Sequence, residues 1–218
     1  MEVIPMLTIE LDTLLKEQAL QRQDPEDRYI TDSANWEQYE TLLNRIGDAA
    51  GYRVTYLDGL LEIMSPSRRH ESRKTGIGNL LEIYFVEAEI EYFPFGSTTL
   101  RQEEKSGGTE PDEAYCIGTD KEFPDLVIEV IVTSGSINKL ELYRRLNVRE
   151  VWFWRNDRFS IYHLREEIPV EFVSNCGYEL ITQSELLPGI DIDMLTECVK
   201  NPHPLAAAKE WRQNCRPT

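Results

Sequence analysis

The segment FPDLVIEVIVTSGSINK, residues 123–139, decides the fold class. Its centre, 125–132, is aliphatic apart from its acids, the composition of a strand buried on both faces. Glu129 lies inside that run. An ionised carboxylate there costs roughly several kcal/mol unless a partner offsets it. Alternation puts Asp125, Val127, Glu129 and Ile131 on one face of the strand, and Leu126, Ile128, Val130 and Val132 on the other. A turn with Ser134, Gly135 and Ser136 leads to a helix ending near Asn147. On a wheel for 136–147, Leu142, Tyr143 and Leu146 mark the inward stripe with Lys139 in its middle, while Asn138, Glu141, Arg144 and Arg145 point outward. A lysine on a buried stripe must snorkel or meet an anion. A Glu129–Lys139 ion pair explains both residues without catalysis; a site that uses both explains them equally well.

Upstream, residues 7–20 form a short amphipathic stretch, followed by the polar break QRQDPEDRYIT. Asp32 or Ser33 is the expected cap of a helix through NWEQYETLLNRIG, with Trp36, Tyr39, Leu42, Leu43 and Ile46 on one side. YRVTYLDGLLEIMS reads as a hairpin, because Asp58-Gly59 is the favoured type I′ turn pair between β-prone residues. Ser67 then caps a helix to about Ala88 whose core side holds Ile77, Leu80, Leu81 and Tyr84. EYFPFG, STTLRQ and EAYCIG read as short strands around a polar loop, EEKSGGTEP. Beyond the first helix after Glu129, EVWFWRND, RFSIYHL and PVEFVSN are further strands, and SELLPGIDIDML closes the domain. Helix, hairpin, helix, strands, helix, strands is an α/β order with a mixed sheet.

Asp112 follows Pro111 at a strand entrance, where the missing N–H does least harm; its strand neighbours on the same face are the small Ala114 and Cys116. Taken alone it also fits an Asx turn. Together, an Asp at a strand start, a Glu in the next strand and an inward Lys have a chemical meaning. Two carboxylates beside a small gap suit Mg²⁺, a hard cation that prefers oxygen ligands. A metal there polarises a phosphoryl oxygen and acidifies a water, and an ammonium beside it supports the charged transition state. The matching reaction is metal-dependent phosphodiester hydrolysis.

At these residues the sequence resembles the PD-(D/E)XK nuclease superfamily, and within it the bacterial Uma-two family of restriction endonucleases. The resemblance covers about residues 36–195 and is carried, in order, by YLDGLLEIMSPSRRHE, FGSTTLR, EPDEAYCIG, PDLVIEVIVTSGSINKLELYRRLNVREVWFW and LLPGIDIDML. It implies a restriction-endonuclease-like α/β core, a central mixed β-sheet flanked by helices, over residues 31–195. Residues 1–30 are then an N-terminal extension and 196–218 a C-terminal tail. It also implies Asp112 and Glu129 as metal ligands and catalytic acids, with Mg²⁺ or Mn²⁺ as cofactor and DNA as substrate. The superfamily's lysine belongs two residues after the glutamate, where this chain has Ile131; the resemblance implies that a lysine of the following helix substitutes, and NKLELY offers Lys139. His70 and Glu71, in the helix after SPS, are further candidate site members. His70 also fits a hydrogen-bonded core residue, and Glu71 a favourable charge at a helix N-terminus. Arg68, Arg69, Arg73 and Lys74 form a basic cluster, either phosphate-binding or a solvated first turn.

The net charge of −16, from 23 Lys plus Arg against 39 Asp plus Glu, disfavours non-specific adhesion to phosphate backbones. A local basic patch or bound metal can reverse the field at one site. No apolar run approaches the roughly 20 residues of a membrane span, and the acidic N-terminus does not read as a signal peptide. Four cysteines without paired spacing suggest neither a zinc site nor a disulfide framework. A cytoplasmic location is the resulting expectation. Trp152 and Trp154 in VREVWFW offer either aromatic surface for a homodimer or core packing. The alternative to an endonuclease is a non-catalytic nuclease-fold module acting in protein interaction or regulation.

Overall fold

The structure is a computed structural model, which describes residues 26–47, 51–96, 98–133, 135, 137–169 and 173–215. The amphipathic stretch at 7–20 lies outside them. Two sheets and, among the described residues, five α-helices make the fold.

The first sheet grows around the expected hairpin, β2 (Arg53–Leu57) and β3 (Leu60–Ser65). Its turn has positive φ at both central residues, 47° at Asp58 and 93° at Gly59, the backbone that the Asp-Gly pair accommodates. β1 (Asp27–Thr31) pairs with β3, β6 (Gly107–Thr109) with β2, and β5 (Leu100–Gln102) with β6, all antiparallel. Helix α1 (Trp36–Ile46) covers one face, where Tyr39 and Leu42 pack with Val54, Tyr56, Leu61 and Ile63. Its cap is Asn35 rather than Asp32 or Ser33. Asn35 accepts from the Gln38 N–H at 2.9 Å while Gln38 accepts from the Asn35 N–H at 2.8 Å, a reciprocal box that the other two positions lack.

The second sheet has the order β11-β10-β9-β8-β7-β4, with β4 Tyr92–Pro94, β7 Glu113–Ile117, β8 Leu126–Ile131, β9 Glu150–Arg155, β10 Arg158–Leu164 and β11 Tyr178–Ile181. Among the described residues only β8 and β9 run parallel, and their crossover contains helix α3 (Lys139–Arg145). On one face of β8, Leu126, Ile128 and Val130 pack with Ile77, Leu81, Trp152 and Trp154. Ile77 and Leu81 come from α2 (Arg68–Glu87), which is capped by Ser67 as expected. On the other face Val127 packs with Leu142, Tyr143 and Val151. Trp152 and Trp154, 0% and 3% exposed, are core residues and not dimer surface.

The restriction-endonuclease-like α/β class expected from the sequence is therefore present: a mixed sheet flanked by helices, with an antiparallel sheet beside it. The antiparallel sheet went unseen as a separate sheet because β6 hides in the supposed polar loop. Gly107 and Gly108 carry no strand signal, and a side chain at Gly108 would collide with Tyr39. Of the strand expected at 169–175, positions 170–172 lie outside the described residues; the strand described nearby is β11. At the C-terminal end, α4 (Ile192–Lys200) and α5 (Pro204–Asn214) pack on α2, with Trp211 fully buried and its indole N–H donating to Leu80 O at 2.7 Å. No helix among the described residues is long and apolar enough to cross a membrane.

Candidate active site

The two sheets meet where the chain passes from β6 to β7 through Glu110, Pro111 and Asp112. Asp112 is 1% exposed. Its Oδ2 accepts the Val130 N–H at 2.7 Å, which ties it to β8. Its Oδ1 accepts from His70 Nε2 at 2.8 Å. Arg53 Nε also lies 3.3 Å from Oδ1, but at an angle that makes no hydrogen bond, so that attraction is coulombic only. Burial alone would raise the Asp112 pKa. The hydrogen bond and charge of His70, the charge of Arg53 and the Val130 N–H outweigh it and hold the carboxyl below its ordinary range.

His70 is 1% exposed, and its Nδ1 meets Glu26 Oε1 at 2.8 Å. An imidazole between two carboxylates must donate from both nitrogens, which only the protonated ring can do. Burial opposes that charge, but the bonds to Asp112 and Glu26 prevail and lift the pKa to about 9. Glu26 also accepts from Thr133 Oγ1 at 2.5 Å and from Arg28 Nη2 at 3.3 Å, and Arg28 Nη1 donates to the buried Glu62 at 2.8 Å. Arg53 Nη2 reaches Glu71 at 3.1 Å. Acids and cations thus alternate from Glu62 through Arg28, Glu26, His70, Asp112 and Arg53 to Glu71.

Glu129 is 8% exposed. Its Oε1 accepts from Lys139 Nζ at 3.0 Å and from the Tyr143 hydroxyl. The Lys139 ammonium also donates to Thr109 Oγ1 at 2.9 Å and Thr55 Oγ1 at 3.2 Å, which uses its three N–H donors. Burial, then the Glu129 charge, push the Tyr143 hydroxyl well above its usual pKa, so it stays a donor.

A cleft of about 280 Å³ opens onto Glu129 and Lys139. Its polar wall includes Arg53, Thr55 and Glu110; Met64, Ile131, Ile137 and Phe153 supply apolar surface. Burial raises the Glu110 pKa against the pull of Arg53 and Lys139. Asp112 sits behind the wall, covered by His70 and Arg53.

The structure thus brings Glu129 to Lys139, and Asp112 to His70. Glu71 joins only through Arg53, with its side chain 43% exposed. Of the basic cluster, Arg73 donates to Val199 O and Lys74 lies 3.8 Å from Glu71, while Arg68 and Arg69 are exposed. Glu26, Arg28, Arg53, Thr55, Glu62, Thr109, Glu110 and Tyr143 are site neighbours that the sequence reading missed. For the hairpin there was a usable signal. Arg53 and Thr55 alternate with the buried Val54 and Tyr56, and Glu62 stands opposite Thr55, so polar side chains share one face of a hairpin whose two strands are largely buried.

Fold and cleft together define a restriction-endonuclease-like α/β protein. The family model Uma2, described as "putative restriction endonuclease", matches residues 36–195, and the chain belongs to that family. Nuclease is the class of activity which that membership indicates, DNA the class of substrate, and restriction-endonuclease-like families typically use divalent metals. A search of curated proteins returned no match.

Proposed function

We propose that the chain is a divalent-metal-dependent nuclease that hydrolyses DNA phosphodiester bonds. One observation supports this above the others: Lys139 arrives from α3 with its ammonium 3.0 Å from Glu129, on the strand face where Ile131 stands in place of a lysine. The residues that would hold Mg²⁺ or Mn²⁺ are Glu129 and Asp112. Among the described residues no three His, Cys, Asp or Glu side chains form a ready metal cage. Mg²⁺ does not need one, since it keeps several waters and binds through one or two carboxylates; Glu129 faces the cleft, and Asp112 would join it by turning an oxygen away from His70 or the Val130 N–H. Bound there, the ion would supply Lewis acidity at a phosphoryl oxygen and a more acidic water.

The remaining work falls to the chain's own groups. His70 and Arg53 keep Asp112 ionised at neutral pH. Lys139 is held by Glu129 and two threonines, and those threonine hydroxyls also bond each other at 3.0 Å. Lys139 can therefore release one of them and turn that N–H to an attacking water or a phosphoryl oxygen. Ile131, Ile137 and Phe153 restrict water around the reacting group. The same reading takes residues 26–215 as one folded unit, wider than 31–195, because Glu26 and β1 belong to the site and its sheet, and Trp211 to the core.

The test is nicking of supercoiled plasmid in Mg²⁺ or Mn²⁺ by wild type and by the Glu129→Gln and Asp112→Asn variants. Loss of cleavage in both variants is expected; equal cleavage would trace the activity to a contaminant. A second reading, the non-catalytic module, draws on a specific observation: each site acid already faces a protein cation, Lys139 on Glu129 and His70 with Arg53 on Asp112. Calorimetric titration separates the two, since the module binds no divalent ion in an Asp112-dependent way.

A further inference from the structure

We infer that the sheet face beside the cleft binds an unpaired, single-stranded segment of nucleic acid, with a base against Phe153 and flanking phosphates on Arg155 and Arg158. This rests on the nuclease reading and names the form of substrate that the same site takes.

Strand register carries the inference. Glu129 stands beside Phe153 and Phe153 opposite Ser160; one step further along the same face, Ile131 stands beside Arg155 and Arg155 opposite Arg158. Residues paired in this way project from one side of the sheet. From strand spacing and rise, the Arg155 and Arg158 Cα atoms lie about 8 and 12 Å from that of Glu129. Phe153 lines the cleft and is half-buried. Its ring is held edge-on to Tyr162, centroids 5.7 Å apart, which leaves a fixed aromatic surface beside Glu129.

Arg155 and Arg158 are both exposed, and Arg155 lines the cleft. They flank a two-residue turn with φ of 52° at Asn156 and 57° at Asp157, so the hairpin geometry keeps them side by side. Asp157 points its charge toward Arg73, 3.8 Å away. The two arginines thus place positive charge at the mouth of an acid site, in a chain of net charge −16, where a phosphate backbone would meet it. An unpaired strand suits it better than a duplex. A base reaches the Phe153 ring only when it is unstacked and unpaired, stacking of that kind tolerates any sequence, and two arginines offer few of the phosphate contacts that duplex affinity needs.

The test uses the Glu129→Gln protein in Mg²⁺, so that nothing is cut, with a fluorescein-labelled oligothymidylate and a duplex of equal length. The single strand should bind about tenfold tighter, the effect of one base–aromatic stack, with a slope of log affinity against log salt near about −1.4 for two phosphates. Arg158→Ala should lower that slope by about 0.7 in magnitude. Phe153→Leu, which keeps an apolar side chain and the fold, should weaken binding about tenfold without changing the slope. Duplex binding equal to or tighter than the single strand, or an unchanged slope in Arg158→Ala, overturns the inference. Wild-type cleavage separates the two readings. Equal cutting of duplex and single strand defeats the single-strand inference alone, whereas single-strand binding with no cutting of any DNA defeats the nuclease reading alone.

Discussion

Replacing Lys139 by Met tests whether Glu129 depends on the helix that follows its strand. Removing one partner of a buried ion pair costs roughly 3–5 kcal/mol, because the other charge is left uncompensated. Two features reduce that figure here. The Tyr143 hydroxyl still donates to the same Glu129 oxygen, and the Lys139 side chain is 22% exposed, so water can partly replace it. The expected loss for Lys139→Met is therefore about 2–3 kcal/mol. Glu129→Gln leaves the ammonium with two threonine hydroxyls and some solvent, and should cost about 1–2 kcal/mol. The double variant should be no less stable than Lys139→Met alone, which makes the coupling energy about 1–2 kcal/mol. Urea unfolding followed by tryptophan fluorescence reads this directly, since Trp152, Trp154 and Trp211 are 0%, 3% and 0% exposed. With a slope of about 2 kcal/mol per molar urea, the single lysine variant should shift its midpoint by about 1 M. Additivity of the two substitutions within about 0.5 kcal/mol would refute the pairing. In plasmid nicking the same lysine variant should lose about 10²–10³-fold in rate.

Installing Ile131→Lys in the Lys139→Met background should recover part of the nicking rate, because position 131 shares the Glu129 face of β8 and lines the cleft; no recovery would show that the route of the lysine into the site matters as much as its presence. In chelator, stability should fall between pH 6.5 and 9. The His70 pKa is raised in the folded state to about 9, so its stabilisation is complete below the unfolded value near 6.5 and is lost as pH rises through about 9, roughly 3 kcal/mol in all. His70→Asn should flatten that window in chemical denaturation. The lowered pKa values of Glu26 and Asp112 add a separate loss only at acid pH. Saturating Mn²⁺, at about 100 times its dissociation constant, should stabilise wild type by about 3 kcal/mol, and Glu129→Gln should abolish the shift seen by calorimetry. Trp211→Ala should cost about 3–5 kcal/mol, measured as above; a loss below about 1 kcal/mol would detach the C-terminal helix from the folding unit.

What the sequence made legible, and what it hid, follows from the range of the forces involved. The hairpin turn at Asp58-Gly59, the Ser67 cap and the two faces of β8 are local, and each is written in residues within a few positions of one another. Lys139 was also legible, because one helical wheel shows a cation on an apolar stripe just after a strand holding a buried acid. The Glu26–His70–Asp112 chain was not. Its bonds span 44 and 42 residues, and no periodicity marks a glutamate that precedes the first strand. β6 escaped for the opposite reason, since Gly108 makes room for Tyr39 and Gly107 for Leu142, and neither has strand propensity.

Ile131 then acquires a physical meaning. With a lysine at 131, strand geometry alone would fix the cation two residues from Glu129; with Ile131, the cation's position depends on α3, a helix of 7 residues. Such a helix has little stability of its own and is held by Leu142 and Tyr143 against Val127 and Val151. Lys139 is its first residue, so loosening that apolar contact should withdraw the ammonium without touching either acid. Leu142→Ala makes the distinction: it should lower nicking far more than divalent-ion affinity, whereas equal losses in both would mean that the acids, and not the helix, were disturbed.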